Sequence, residues 1–429
     1  MPMSLLHLLS IGVAHAACPS GAPDWTVCSS GCDATTVSDA VTNAVDGETI
    51  CVSAGTYTQR ISLGSNRRIR IEADGAVTLS QGSGNEIISV SNGGKLELLG
   101  ITVSGNNNRR CITATGNNTE VLLHDATVQG CTAGVDGGGV NVQSSARLIS
   151  RAGTRFLSNT ANNSSGGAIY ARNATLELTD TVFDNNDADN AGAIRADNTT
   201  TTIDSCSFSS SNTDNGNGGA IRSTGTTALT VTRSTFTQDV ANDNQNAHGG
   251  AICHESSGAL RIDYSSFDRC TARDFGGAVY STSADTVILR SEFSRGDADR
   301  GGGIYVNGIT TGRPIANNVF QDNACGDDGG GAWVSGSVTF QNNVVFDNDC
   351  GSGGGREGDG VEFAGGPVTF RNNAVTHQSR DGAHSAGGVS VTSDYNLWYS
   401  NGGNANFNIS GELTSNPLYT SASTNGTPD

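Results

Sequence analysis

The sequence predicts an all-β solenoid in which short parallel strands wind into a helix of roughly a dozen coils. Three observations predict it. Gly166-Gly167-Ala168-Ile169 returns as Gly192-Ala193-Ile194, Gly218-Gly219-Ala220-Ile221, Gly249-Gly250-Ala251-Ile252, Gly276-Gly277-Ala278-Val279, Gly302-Gly303-Ile304 and Gly330-Gly331-Ala332-Trp333, at steps of 25, 27, 31, 27, 25 and 29 residues. A second phrase, Phe-x-x-Asn or a variant of it, keeps the same beat at Phe156, Phe183, Phe208, Phe236, Phe267, Phe293, Phe320 and Phe346. Only 35% of the 429 residues are apolar and 58 are glycine, too lean a mixture for one large core but enough for coils that bury apolar residues against their neighbours. Disordered chains of similar composition have no reason to keep a period.

Residues 1–17 read as an export signal, with an apolar run from Leu5 to Ala14 leading to the small-x-small pattern Ala14-His15-Ala16. No later stretch is apolar for long enough to cross a membrane as a helix. Residues 18–60 read as a disulfide-stapled cap. Val37, Val41, Ala44 and Val45 fall on one face of a short helix that stops at Asp46-Gly47. A strand over Thr49–Val52 and a turn over Ala54–Tyr57 follow. An open stack of strands is an aggregation edge, so a cap is physically required.

From residue 61 to 429 the chain is expected to form coils, most regular over 130–350. One coil reads as three alternating runs, Ala168–Ala171, Ala174–Thr179 and Thr181–Phe183, with Ile169, Ala171, Leu176, Leu178 and Phe183 facing inward. The paired glycines permit a tight corner before the first run. The Asn of Phe-x-x-Asn is expected to bond amide to amide with its equivalents at another corner. Earlier coils keep the beat with Val103 and Val128 at the Phe place, and Cys111-Ile112 and Gly139-Val140 at the Ala-Ile place. Looser coils follow at Gly360-Val361 and Gly388-Val389.

Eleven cysteines in an exported chain point to disulfides. Cys18, Cys28, Cys32 and Cys51 are expected to staple the cap. Cys325 and Cys350, 25 residues apart, predict a bridge between adjacent coils, and the odd total leaves one cysteine over. A net charge of −18, with Lys95 the sole lysine, excludes nucleic acid as a natural partner. It also disfavours anionic membranes and suits a self-repelling, monomeric rod.

The cap phrase from Asp46 to Tyr57 resembles the opening cap of right-handed parallel β-helices of the pectate-lyase type. The two repeated phrases resemble the repeats of chlamydial polymorphic outer-membrane proteins. That resemblance is strong over about 150–350, and its motifs are structural. It implies a right-handed parallel β-helix with adhesin-like function at the cell surface or outer membrane of a Gram-negative bacterium, or secreted from one. That family ends in an outer-membrane barrel. Here Asp394–Trp398 and Ser415–Tyr419 resemble the closing coil of secreted β-helix proteins, so a barrel is not expected, and a chain truncated at its C-terminus is the alternative to a complete one.

In pectate-lyase-like helices sugar chains lie on the outer face of the first-run sheet. One residue after each inward Ile or Val, that face reads Asn141, Tyr170, Arg195, Arg222, Cys253, Tyr280, Tyr305, Val334 and Glu362. Tyr170, Tyr280 and Tyr305 could stack on sugars, and Arg195 and Arg222 offer forked donors to carboxylates or hydroxyls. The same residues suit any exposed sheet by cross-strand contact alone. The loop before each Gly-Gly is acidic, notably at Asp187, Asp189, Asp297, Asp299, Asp327 and Asp328. Stacked in file these would repel, and Ca2+ would relieve the repulsion; a solvated, screened edge is the alternative. No catalytic residue stands out, so the expectation is a non-catalytic glycan- or cell-surface-binding rod. A polysaccharide lyase or glycoside hydrolase and a plain structural spacer are the alternatives.

Overall fold

A computed structural model describes residues 18, 21–80, 86–106, 109–243, 246–351 and 358–416. The signal region, 1–17, and the end of the Ser415–Tyr419 phrase lie outside the described residues. The chain forms a parallel β-helix of about 13 turns. Every ladder pairing is parallel, each strand bonding its equivalent one coil earlier and one coil later. Ile112, Val140, Ile169, Ile194, Ile221, Ile252, Val279 and Ile304 thus form one inward file along the first wall. Leu148, Leu176, Thr201, Leu229 and Leu260 form a file on the second wall.

The third wall carries the phenylalanine file. Rings from Phe156 to Phe320 stack with centroids 4.6–5.1 Å apart and planes within 10° of parallel. That interval is the strand spacing itself, so identical side chains in register must meet face to face. Each ring is buried. Burial is worth about 1.5–3 kcal/mol per ring and stacking about 0.5–1.5 kcal/mol more. Val103 and Val128 continue the file upstream, as the beat predicted. Phe346 does not continue it downstream: Val345 pairs with Phe320, and the Phe346 ring lies 5.1 Å from His377. The count back from Asn348 explains this, because three residues before that buried amide stands Val345.

The corner after the third wall holds the expected amide ladder. Asn159 donates from Nδ2 to Asn186 Oδ1 at 3.0 Å, and Asn323 to Asn348 Oδ1 at 2.9 Å. Between them the file reads Ser211, Asp239, Cys270 and Gly296, and the amide chain is interrupted. A second amide ladder, Asn318–Asn343–Asn373–Asn396, fills the corner before the third wall. Corner residues outside these ladders take left-handed backbone, mostly small polar types such as Asp180, Asn185, Asn317 and Asn342. At Gly250 a Cβ would stand 2.1 Å from the carbonyl oxygen of Gly277, so coil stacking there requires glycine.

Four differences from the sequence reading follow from local geometry. The polar segment before the glycines is itself extended in most coils, adding an eight-stranded ladder that runs from Thr132–Ala133 to Ala324–Asp328. The helix Val37–Asn43, capped by Thr36, buries Val37, Ala40, Val41 and Ala44, but the chain turns extended at Ala44 and leaves Val45 exposed. Ala54–Tyr57 continue the strand Thr49–Thr58 past an irregularity instead of turning. Bridges join Cys18 to Cys51, Cys28 to Cys32, Cys325 to Cys350 and, beyond the spacings noted above, Cys111 to Cys131. Cys206, Cys253 and Cys270 are free and buried, three left over instead of one.

Candidate functional site

The outer face of the first wall places Tyr170, Arg195, Arg222, Cys253, Tyr280, Tyr305, Trp333 and Glu362 in one register. Trp333 stands where the sequence reading put Val334, and Val334 is buried in the core. The shift has a visible signal: Gly301-Gly302-Gly303-Ile304 aligns with Gly329-Gly330-Gly331-Ala332, so Ala332 takes the inward place and Trp333 the outward one.

This column divides into an ionic and an aromatic half. In the ionic half, Arg195 Nε donates to Asp197 Oδ1 at 2.7 Å, and the Tyr170 hydroxyl donates to Asp197 Oδ2 at 3.3 Å. Burial, then the Asp197 charge, pushes Tyr170 up to about 12. Arg222 donates from Nε to Glu255 at 2.9 Å and from Nη1 to Asn190 Oδ1 at 2.9 Å. Arg195 also reaches Asn190 Oδ1 and Thr224 Oγ1, and Arg222 Nη2 reaches Glu255, so every nitrogen of both guanidinium groups has a protein partner.

In the aromatic half, Tyr280, Tyr305 and Trp333 stack in sequence, with centroids 5.4 and 4.2 Å apart. A parallel file from the segment before the glycines flanks them. His248 lies 4.5 Å from Tyr280, and Phe275 lies 4.7 Å from Tyr305. The two files form one strip over four coils, or about 14 Å at the usual strand spacing. Because the rings stack on each other along the rod, they offer edges and hydroxyls sideways and ring faces only at the strip's ends. Burial raises the pKa of the Tyr280 and Tyr305 hydroxyls and lowers the pKa of the His248 imidazole, so Tyr stays protonated and His neutral at pH 7. Sequence reasoning missed His248, Phe275 and Trp333 as one group, since they come from two columns.

The six acids do not form one file. Asp187 and Asp297 share a register but are separated by Asn212, Val240 and Thr271. Asp189 neighbours Asp214, and Asp299 sits between Arg273 and Gly326 in its column. Asp327 and Asp328 both face Arg300, at 2.5 and 3.7 Å. Burial, followed by acid neighbours, raises the pKa of Asp187, Asp297 and Asp299. Among the described residues no group of three or more His, Cys, Asp or Glu is close enough to hold a metal ion.

Comparison with known proteins agrees with this geometry at the level of the coil. The Chlamydia polymorphic membrane protein repeat matches residues 153–172, a stretch that carries Phe156, Asn159 and Gly166–Ile169. These residues build corner and core, so the match speaks to the winding of the chain. The four disulfides fit an oxidising compartment such as the cell surface or the exterior. No curated protein sequence matches. Among solved structures, the A-module of the mannuronan C-5 epimerase AlgE6 of Azotobacter vinelandii matches at 14% identity with a TM-score of 0.29, over 89% of this chain and 93% of that one. The alginate lyase from Paenibacillus sp. str. FPU-7 matches at 10% identity with a TM-score of 0.15, over 88% of this chain and 95% of that one. Superpositions this loose transfer no site.

Proposed function

We propose that this chain is a surface or secreted β-helix rod that binds glycans along the outer face of its first wall and does not cleave them. The observation that carries the reading is the aromatic strip Tyr280–Tyr305–Trp333, flanked by His248 and Phe275 and continued by the arginine pairs at Arg195 and Arg222. Aromatic edges, half-buried at Tyr280 and Trp333 and buried at Tyr305, beside planar charged groups, suit the alternating C–H and O–H edges of a sugar chain. The second N–H of each Nη nitrogen would add a hydrogen bond while the ion pairs with Asp197 and Glu255 stay in place.

Calcium is not needed by this reading, since Arg273 and Arg300 interleave the acids at Asp299, Asp327 and Asp328. A polysaccharide lyase or hydrolase is the competing reading; the closeness of His248 and Tyr280, 4.5 Å between ring centroids, is the feature that favours it. A glycan array with the purified rod tests binding. Tyr280→Ala combined with Tyr305→Ala should abolish the retained signals. Unchanged signals in that double variant would remove the first wall as the binding face.

A further inference from the structure

Away from the first wall, the corner between the second and third walls carries a groove of about 360 Å3, lined by Arg233, Tyr264, Arg290 and Glu292 among others. We propose that this groove is a subsite for one neutral sugar ring, with Tyr264 as its stacking platform. The inference rests on the reading that the rod binds glycans, and it adds a second contact and a ligand class to it.

Three observations carry it. First, the corner position is left-handed in successive coils, and most coils put a small polar residue there: Asp180, Ser205, Asn317, Asn342 and Asn372. Three consecutive coils between them place Arg233, Tyr264 and Arg290 in that conformation, at φ of 49°, 49° and 46°. Bulky residues are disfavoured there, and nothing in coil stacking asks for them. Second, Tyr264 is 59% exposed, whereas the first-wall tyrosines lie half or fully buried. Its ring has the Arg290 guanidinium over one face, 4.5 Å from the centroid. Arg233 reaches the other way, to Asp204 of the preceding coil at 2.5 Å. Tyr264 lines the groove, and among the described residues no aromatic ring stacks on it, unlike the strip on the first wall. A sugar's C–H face stacks on such a surface.

Third, the charges are balanced. Arg290 forms a two-bond fork with Asp263, Arg233 is paired with Asp204, and Glu292 accepts from Gln321 Nε2 at 2.9 Å. No cation is left over to attract an acid, and Glu292 with a net charge of −18 would repel one. Hydroxyl groups, by contrast, can accept from the outer guanidinium edges and donate to the carboxylates. That pattern selects a neutral ring.

The test is calorimetric titration of the full chain with the neutral hexasaccharides cellohexaose, maltohexaose and mannohexaose, and with hexagalacturonate as the charged arm. At least one neutral probe should bind, and Tyr264→Asn should weaken it tenfold or more. The melting temperature should stay level or rise, because asparagine fits a left-handed corner better than tyrosine. Binding kept in Tyr264→Asn but lost in the Tyr280→Ala, Tyr305→Ala double variant would overturn the corner and leave the first-wall reading standing. Preference for hexagalacturonate would overturn the neutral class. Silence of every neutral probe would overturn the subsite, and a blank glycan array as well would bring down the first-wall reading with it.

Discussion

Replacing Asp239 by asparagine should stabilise the rod, and by more at pH 7 than at pH 5. Asp239 occupies the corner ladder where other coils place Asn186 or Asn323, whose Nδ2–H reaches the Phe carbonyl of the preceding coil at 3.0 and 2.9 Å. Its Oδ1 accepts the Ser211 N–H at 2.9 Å, but its Oδ2 is buried without a partner. Complete burial pushes this carboxyl from 3.8 up to about 8. A protonated Oδ2 restores the missing donor, so the folded chain holds a proton that the unfolded chain releases. The sign follows from a raised acid: stability is full below pH 4 and is lost as pH climbs toward 8. Each pH unit inside that window is worth about 1.4 kcal/mol, hence roughly 3 kcal/mol between pH 5 and 7. Asparagine carries the donor at every pH. The assay is urea unfolding of both proteins at pH 5, 6, 7 and 8, followed by circular dichroism, with exchange of the Ser211 amide as a local probe. Taking the difference between the two proteins removes the other acids. A difference that does not change with pH, or a variant less stable than its parent at pH 7, would refute the buried, protonated carboxyl.

Phe236→Ala removes one ring from the middle of the stack and should cost about 3–5 kcal/mol, read as a lower urea midpoint. Gly250→Ala should fail to fold or should melt far below the parent, since its Cβ would lie 2.1 Å from Gly277 O, and a normal melting curve would contradict the stacking. Changing Cys325 and Cys350 together to serine opens a 25-residue loop and should cost about 3 kcal/mol on the chain-entropy model, read as a lower urea midpoint. Chelator should leave the melting temperature unchanged, because among the described residues no three acids come close enough to hold a metal ion; a drop on chelation would restore calcium to the account.

The coil was legible because its rule is one of repetition. Small residues at a fixed interval, a ring a fixed distance before an amide, and alternation between them define inward and outward places without any knowledge of the whole. Where the rule slipped by one residue, at Phe346 and Val334, the sequence held a correcting mark in Asn348 and in the triple glycine 329–331. The fourth ladder was illegible for a different reason. Segments such as Asp187–Asn190 and Asp297–Arg300 turn only one small apolar residue inward, Ala188 and Ala298, too short an alternation to announce a strand, and the register of neighbouring coils makes one. The aromatic strip was half legible. Tyr280 and Tyr305 stand in a column that spacing reveals, but His248 and Phe275 join them from a segment about five residues upstream of that column, through a bridge that spacing alone does not give. Pairing of Arg195 with Asp197 is local, two residues apart on one strand, and could have been read; that of Arg222 with Glu255 crosses from one coil to the next and needed the register.

Incubating the purified rod with each glycan it retains, and then measuring both retention and the length and ends of the polymer, tests the central claim most directly. A non-cleaving binder predicts saturable retention with polymer length unchanged and with no new reducing ends or unsaturated sugars. Shortened chains, or a rise in either kind of end that scales with protein concentration, would contradict it and make the aromatic strip part of an active site.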